Sequence, residues 1–318
     1  MTDRRPADPQ AARQAIADRL RQLARERPGT PLADLQRQFA YDRLLCRLFG
    51  SQRHEWVLKG ATAILARLGG QARHTLDVDL YRREGSLSEA ETALQAAAAH
   101  DLGDNFRFAL HPSRRLAQDR GALRIPVVAY LGATEFASFH VDLVAGLLMT
   151  GTPDEMPPLV PIDLPGITRT TYDVYPVADH VADKVCAMLE LHPRSSGPPV
   201  ASTRYRDLAD LAVLARATTV GAEDLRVALA SEAGRRGLHL PRAFPKPNAP
   251  GWRAGYARVV ARAAWPVEKD LDAAWDTVRT FIDPVLGSAA TGRWNPETLT
   301  WSRPSAGPPV DPDGVALT

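Results

Sequence analysis

Two aspartates, Asp77 and Asp79, flank one apolar residue in Thr75-Leu76-Asp77-Val78-Asp79-Leu80. Side chains of an extended strand alternate between faces. The spacing therefore predicts both carboxylates on one side, with Leu76, Val78 and Leu80 on the other. Neighbouring carboxylates repel each other and lose solvation unless a cation lies between them. Mg²⁺ suits such a place, because it takes carboxylate and phosphate oxygens and keeps some of its waters. The strand reads as a metal platform for phosphate chemistry. A third acid, Asp142, sits in Phe139-His140-Val141-Asp142-Leu143-Val144, which again has one apolar and one polar face. By itself such an acid commonly faces solvent. Set beside the 75–81 strand, it would complete a triad able to hold two Mg²⁺ ions.

The elements that must carry these residues follow from periodicity. Residues 10–27 have the helical spacing of Ala15, Ile16, Leu20 and Leu23, ended by Pro28-Gly29, and a second helix runs from Pro31 to about Phe49. Trp56-Val57-Leu58 predicts a short strand, and Gly60 turns the chain into a helix with Ala63, Ile64 and Leu68. A backbone that turns from strand to helix offers free N–H groups, and glycine lets a phosphate approach them closely. Gly60-Ala61-Thr62 is thus a candidate phosphate-binding turn, placed about fifteen residues before the aspartates. Ser86 or Ser88 caps an Ala-rich helix reaching about His100. Period-two patterns at 104–110, 122–131 and 136–145, with Gly121 and Gly132 as turns, predict strands. Residues 151–173 are Pro-rich and read as a connector. Beyond Tyr175-Pro176 the chain reads as helices at about 178–191, 204–216, 222–234, 252–263 and 268–285. The loop 192–202 is low in apolar residues, and the tail 303–318, rich in Pro, Gly and Ser, is expected to be flexible. The fold class expected is α+β: a mixed or antiparallel sheet flanked by helices in residues 1–150, then a mostly helical domain over 174–302.

Bulk properties exclude little but frame the rest. The 318 residues carry 39 Lys and Arg against 37 Asp and Glu, so overall charge does not mark a nucleic-acid binder. No apolar run approaches membrane-spanning length, and the polar N-terminus does not look like a secretory signal. Cys46 and Cys186 lie far apart in apolar helical patterns and are expected to be buried free thiols, which favours the cytosol. There is no Cys/His zinc pattern, GxSxG or Walker A motif. Charge is uneven, however. Arg235, Arg236, Arg242, Lys246, Arg253, Arg258, Arg262 and Lys269 cluster, with Glu268 the one acid among them in the sequence and Phe244, Trp252, Tyr256 and Trp265 interspersed. Such a segment could bind RNA through phosphate pairing and base stacking. It could equally be a solvated helix face with its aromatics in the core.

Leu58-Lys59-Gly60-Ala61-Thr62-Ala63-Ile64 followed by Arg73-His74-Thr75-Leu76-Asp77-Val78-Asp79-Leu80 resembles the DNA polymerase β-type nucleotidyltransferases. More closely, it is similar to the AbiE-type toxins of abortive-infection and mycobacterial toxin–antitoxin pairs. Asp179-His180-Val181-Ala182-Asp183-Lys184-Val185 resembles that family's second-domain lysine motif. Arg206-Asp207-Leu208-Ala209-Asp210-Leu211 resembles its late Lys-Asp-x-x-Asp-Leu motif. The departures are Ala61 for the usual Gly or Ser, Arg206 for Lys and Asp183 for Glu. Any hydroxyl contact to phosphate would then fall to Thr62 or be absent.

The resemblance implies a nucleotidyltransferase domain in residues 1–150 and a phosphate-binding helical domain in 174–302. It implies Asp77 and Asp79 as metal ligands, with Asp142 third. Lys184 would meet the triphosphate, and Asp207 would act beside it, together forming the far wall of a cleft. Lys59, Arg73, Thr75 and the 60–62 turn could contact phosphates. For Lys184 the alternative is a solvated helix lysine. For Asp210 it is a helix-surface acid, or an acid paired with an Arg such as Arg206. His74 and His140 could touch phosphate or simply support neighbours. The implied activity is Mg²⁺-dependent transfer of a nucleoside monophosphate from an NTP to an acceptor. The acceptor implied is a tRNA 3′ end, and a cognate antitoxin is expected to be encoded nearby. Transfer to a protein hydroxyl or small molecule, and a non-catalytic nucleotide-binding module, are the alternatives.

Overall fold

The computed structural model describes residues 8–27, 29–116, 121–146, 148–192, 200–201, 203–247, 250–261, 263 and 266–302. The chain divides into two compact units, Met1–Pro176 with Arg262–Pro266, and Val177–Ala261 with Val267–Thr318.

The first unit opens with α1 (Pro9–Glu26), capped by the Asp8 carboxylate and started by a proline whose missing N–H costs nothing there. Helix α2 (Leu32–Gln52) is buried on almost every side from Leu35 to Phe49. It even buries Arg43 and Arg47, which converge on Asp104 at 3.0 and 2.8 Å. Arg47 also donates to the carbonyls of His100 and Phe106. Buried charge is tolerated where it is paired in this way, although Arg43 Nη2 has no hydrogen-bond partner among the described residues.

Next come β1 (Trp56–Leu58), α3 (Gly60–Leu68), β2 (Asp77–Arg82), α4 (Leu87–Ala99), β3 (Phe106–Leu110), β4 (Arg114–Arg115), β5 (Ala122–Leu131), β6 (Thr134–Ala145), β7 (Asp154–Met156) and β8 (Tyr172–Val174). Ser86, not Ser88, caps α4, in a reciprocal box with Glu89. The strands form one mixed sheet in the order β3-β5-β6-β2-β1-β8-β7, with β4 against β5. The β2–β6 and β1–β8 pairs are parallel and the rest antiparallel. Helices α2 and α4 pack against this sheet, whose buried side chains include Val78, Leu80, Ile125, Val127, Val141 and Leu143.

Two expectations need correction. The Pro-rich stretch 151–173 is not only a connector, because it supplies β7 and β8. Strands of three residues carry too little period-two pattern to be seen among prolines. Leu76 does not join the apolar face of β2. It precedes the first paired residue and is largely exposed.

The same stretch is tied to α2 by Asp42. Its carboxylate accepts from the backbone N–H groups of Leu159 and Val160 at 3.0 and 2.9 Å, and from the Tyr172 hydroxyl at 2.7 Å. Burial pushes this carboxyl up to about 6 against the pull of those donors. The folded state therefore holds this proton more tightly than the unfolded chain does. Asp42's contribution to stability is full below the ordinary carboxylate range and is lost as pH rises through about 6. Its total should be about 3 kcal/mol. Denaturant titrations between pH 4.5 and 7.5 should show wild type losing more stability with rising pH than Asp42→Asn. Parallel pH profiles would refute the assignment.

The second unit contains α5 (Val177–Leu189), the short pair β9 (Leu191–His192) and β10 (Val200–Ala201), α6 (Tyr205–Ala217), α7 (Ala222–Arg236), α8 (Trp252–Val260), α9 (Leu271–Leu286), and a hairpin of β11 (Trp294–Asn295) and β12 (Thr300–Trp301). The helices lie close to where periodicity puts them. Helix α5 packs on α6 and α7, and α6 on α8 and α9. The hairpin is new. Trp294 and Trp301 flank Phe281, and their indole N–H groups donate to the carbonyls of Ala215 and Phe281. Residues 193–199 and 202 of the expected loop, and the whole tail 303–318, lie outside the described residues. Cys46 and Cys186 are both free and buried. Among the described residues no helix is long and apolar enough to cross a membrane.

Candidate active site

Strand β2 brings Asp77 and Asp79 to one face, and β6 lies directly beside it in parallel register. Asp79 pairs with Asp142, and Asp77 with His140. Paired residues on neighbouring strands share a face, so the three acids form one row-and-column cluster. Val78, Leu80, Val141 and Leu143 point the other way and are buried. The alternation read from sequence thus places all three carboxylates on the same side.

Each carboxylate is already engaged. One oxygen of Asp79 accepts the N–H of Ala61 at 3.1 Å, so this carboxylate caps the first turn of α3. Asp142 is held by Arg124 of β5 through two bonds, Nε to Oδ1 at 2.7 Å and Nη2 to Oδ2 at 2.6 Å. The same Nη2 lies 3.3 Å from Asp77 Oδ2. His140 Nδ1 lies 3.3 Å from the other oxygen of Asp77. The hydrogen bonds of Asp142, opposed by desolvation, hold the Arg124 pKa well above its ordinary range, so Arg124 is a permanent cation here. Among the described residues, no three His, Cys, Asp or Glu side chains stand close enough together to hold a metal ion. As placed here, Asp77, Asp79 and Asp142 do not meet at one point. The acids share a face, but Asp79 turns to α3 and Asp142 to Arg124.

The turn before α3 also differs from its expected role. Gly60 has φ +53°, a backbone region that side chains other than hydrogen rarely adopt. A Cβ built there would stand 2.3 Å from Asp79 Oδ2. What approaches this glycine so closely is the Asp79 carboxylate. Gly60→Ala should therefore cost at least about 2 kcal/mol through backbone strain and displacement of Asp79. Thermal unfolding of the variant measures it, and an unchanged Tm would show that the turn relaxes freely. Thr62 is fully buried. Its hydroxyl donates to the Asp77 carbonyl at 2.9 Å and accepts from the Asp79 N–H at 3.3 Å. That corrects the expected phosphate contact: Thr62 pins α3 to the aspartate strand. Thr75 makes a local turn with Asp77, its hydroxyl accepting the Asp77 N–H at 3.2 Å. Ala61 presents backbone only. The Lys59 ammonium lies 4.7 Å from the centre of the Tyr175 ring. Arg73 is half-buried. His74 Nδ1 bonds the Gln38 amide at 2.9 Å, and burial lowers its pKa.

The second unit assembles the two late motifs by itself. Lys184 on α5 is 6 % exposed and donates to Asp207 Oδ1 and Asp210 Oδ2 of α6, both at 2.8 Å. Arg204 lies 3.5 Å from the other side of Asp207. Lys184 is therefore not a solvated lysine. Asp210 takes Lys184 as a partner, while Arg206 is exposed.

The basic segment is corrected in part. Phe244, Trp252 and Tyr256 are buried, so they belong to the core and offer no base-stacking surface. Acids outside the segment also reach the cations. Arg235 and Arg236 bond Glu232, and Arg236 also meets Asp183 and Glu190. Lys246 and Arg253 bond Asp272. Arg242 and Arg258 are exposed, whereas Arg262 and Trp265 lie outside the described residues. Arg124 was missed from sequence. Its signal was a single charge on the half-buried face of β5, which means nothing until its partner strand is known.

Residues 43–283 match the family described as nucleotidyl transferase AbiEii toxin, Type IV TA system. The chain belongs to the AbiEii toxin family. It is accordingly a nucleotidyltransferase, from a family of toxins that implies an antitoxin partner. The AbiEii match spans both aspartate strands, Lys184 and Asp207. No curated protein matches the sequence. Among solved structures, the solution structure of the antibiotic-resistance factor ANT(2'')-Ia aligns with a TM-score of 0.33 at 16% identity, covering 63% of this chain and 95% of that one.

Proposed function

We propose that this AbiEii-family enzyme transfers a nucleoside monophosphate from an NTP to a tRNA 3′ hydroxyl, releasing pyrophosphate and blocking translation. The reading is carried by the in-register carboxylates Asp77, Asp79 and Asp142 on neighbouring parallel strands. The donor set fits Mg²⁺, since the carboxylate oxygens are hard ligands. Moreover, Asp77 and Asp142 already share one cationic group, the Arg124 guanidinium. Asp77, Asp79 and Asp142 are the residues that would hold the ion. When bound, Mg²⁺ supplies activation of the attacking hydroxyl and neutralisation of the leaving pyrophosphate.

The rest of the work falls to the chain's own groups. Lys59 and Arg73 supply positive charge for phosphates. Lys184 is the cation assigned to phosphate in the second unit, with Asp207 positioning it. Arg242 and Arg258 are the exposed members of the basic segment with no ion pair to an acid among the described residues, left to meet an RNA backbone.

The test is direct. Purified protein, total tRNA, Mg²⁺ and each labelled NTP in turn should yield label on tRNA. Asp79→Ala should yield none. Absence of transfer by wild type, or equal transfer by the variant, would end the proposal. Label on a protein band or a small molecule, with tRNA unmodified, would replace the acceptor and keep the chemistry.

A further inference from the structure

Arg124 is assigned no step of the transfer above, yet it bonds two of the three carboxylates of the cluster. Register explains why. Arg124 pairs across the antiparallel β5–β6 ladder with Asp142, and Asp142 pairs across the parallel β6–β2 ladder with Asp79. The three residues lie side by side on one face, and Asp77 is two positions along. Both Asp142 oxygens accept from the guanidinium, and its Nη2 is shared with Asp77. A planar guanidinium matches a carboxylate with two parallel bonds, a fit that a lysine does not reproduce.

From this arrangement we infer that Arg124 is a built-in countercation of the acid cluster, and that a divalent ion must displace its guanidinium from Asp142 in order to bind. The inference rests on the reading of Asp77, Asp79 and Asp142 as a cation site. Arg124 Nη2 stands between Asp142 Oδ2 at 2.6 Å and Asp77 Oδ2 at 3.3 Å, the place that an ion bridging these two carboxylates would take. Two cations cannot occupy that place. Arg124 therefore neutralises the cluster at rest and keeps its affinity for free divalent ions low. It is a positioning residue: it sets when the cluster can take an ion, with no role required of it at the reacting phosphate.

Calorimetric titration of the full chain with Mn²⁺ alone tests this, with melting curves to check folding. Arg124→Gln removes both charge and fork, and should bind Mn²⁺ at least about ten-fold more tightly than wild type. Arg124→Lys keeps the charge and loses the fork, and should bind about three-fold more tightly. The lysine variant separates displacement from general charge repulsion. If it binds like wild type while the glutamine variant binds more tightly, repulsion alone accounts for the effect and the inference fails. Weaker binding in either variant also overturns it, because Arg124 would then be holding Asp142 in place for the metal. Should the glutamine variant not fold, the lysine variant decides alone. Loss of Mn²⁺ binding in Asp77→Asn/Asp79→Asn, with wild type and both Arg124 variants binding alike, would leave the site reading standing and remove this one. If neither wild type nor any Arg124 variant binds Mn²⁺, both fall.

Discussion

Asp79→Asn should reduce nucleotidyl transfer by at least about 100-fold, the scale on which removal of one transition-state electrostatic partner is felt, while the protein stays folded. Two features of Asp79 make this variant more informative than Asp79→Ala. Its carboxylate caps α3 through the Ala61 N–H, and it fills the space that Gly60 leaves open. An asparagine has the same shape and can still accept that hydrogen bond, so the capping cost should stay near 1 kcal/mol. What it cannot do is carry the charge a divalent cation needs. Activity and stability should therefore part: transfer lost, Tm lowered by a few degrees at most. Steady-state transfer assays beside thermal unfolding would show it. Retained activity would remove Asp79 from the metal-binding set and leave it as a helix cap.

Lys184→Met carries the second large effect, and here stability should fall as well. The ammonium lies between two carboxylates, with Lys184 and Asp210 almost fully buried. Removing one partner from such a buried arrangement typically costs about 3–5 kcal/mol, because the charges left behind have lost their compensation. Methionine keeps most of the volume, so the loss is electrostatic. Pairing Lys184→Met with Asp210→Asn removes one of the stranded charges and should recover a substantial part of the stability. Transfer activity should stay absent in both proteins if Lys184 meets phosphate. Activity that returns with stability in the double variant would make Lys184 a purely structural residue of the α5–α6 packing.

These two sites differ in how they could be read. The Asp77/Asp79 pair was legible because a strand has period two, and a period of two needs no partner to be seen. The helices of the second unit were legible for the same kind of reason, as was the start of α4 at a serine followed three residues later by a glutamate. The Lys184–Asp207–Asp210 cluster was only half legible. The motifs pointed to the residues, but whether Asp210 faced Lys184, Arg206 or water depended on how α5 and α6 pack. The basic segment shows where local reading fails. Arg235 through Lys269 looked like a cationic stripe because its neutralising partners, Glu232, Asp270, Asp272 and Asp183, fall outside the window or come from another helix. Its aromatics looked available for stacking because burial of a residue within a short helix such as α8 cannot be told from local composition.

The motifs in the sequence carried the family resemblance that implies the catalytic class, and the sequence by itself determined the helical second half and which face of β2 carries acid. Those are consequences of side-chain type and of local period. What only the tertiary structure decided is the company the acids keep. The turn after β5 sets Leu131 opposite Thr134, and that register continued would bring Leu123 opposite Asp142. A bulge at Ala129/Tyr130 shifts the ladder by one residue and brings Arg124 there instead. A one-residue shift reverses which side chains share a face, and no propensity in the chain announces it. The same holds for Asp79 over the first turn of α3, where a glycine with φ +53° lets a carboxylate approach. Long-range pairing is the property that a one-dimensional pattern does not contain, and at this site it places a guanidinium beside the carboxylates.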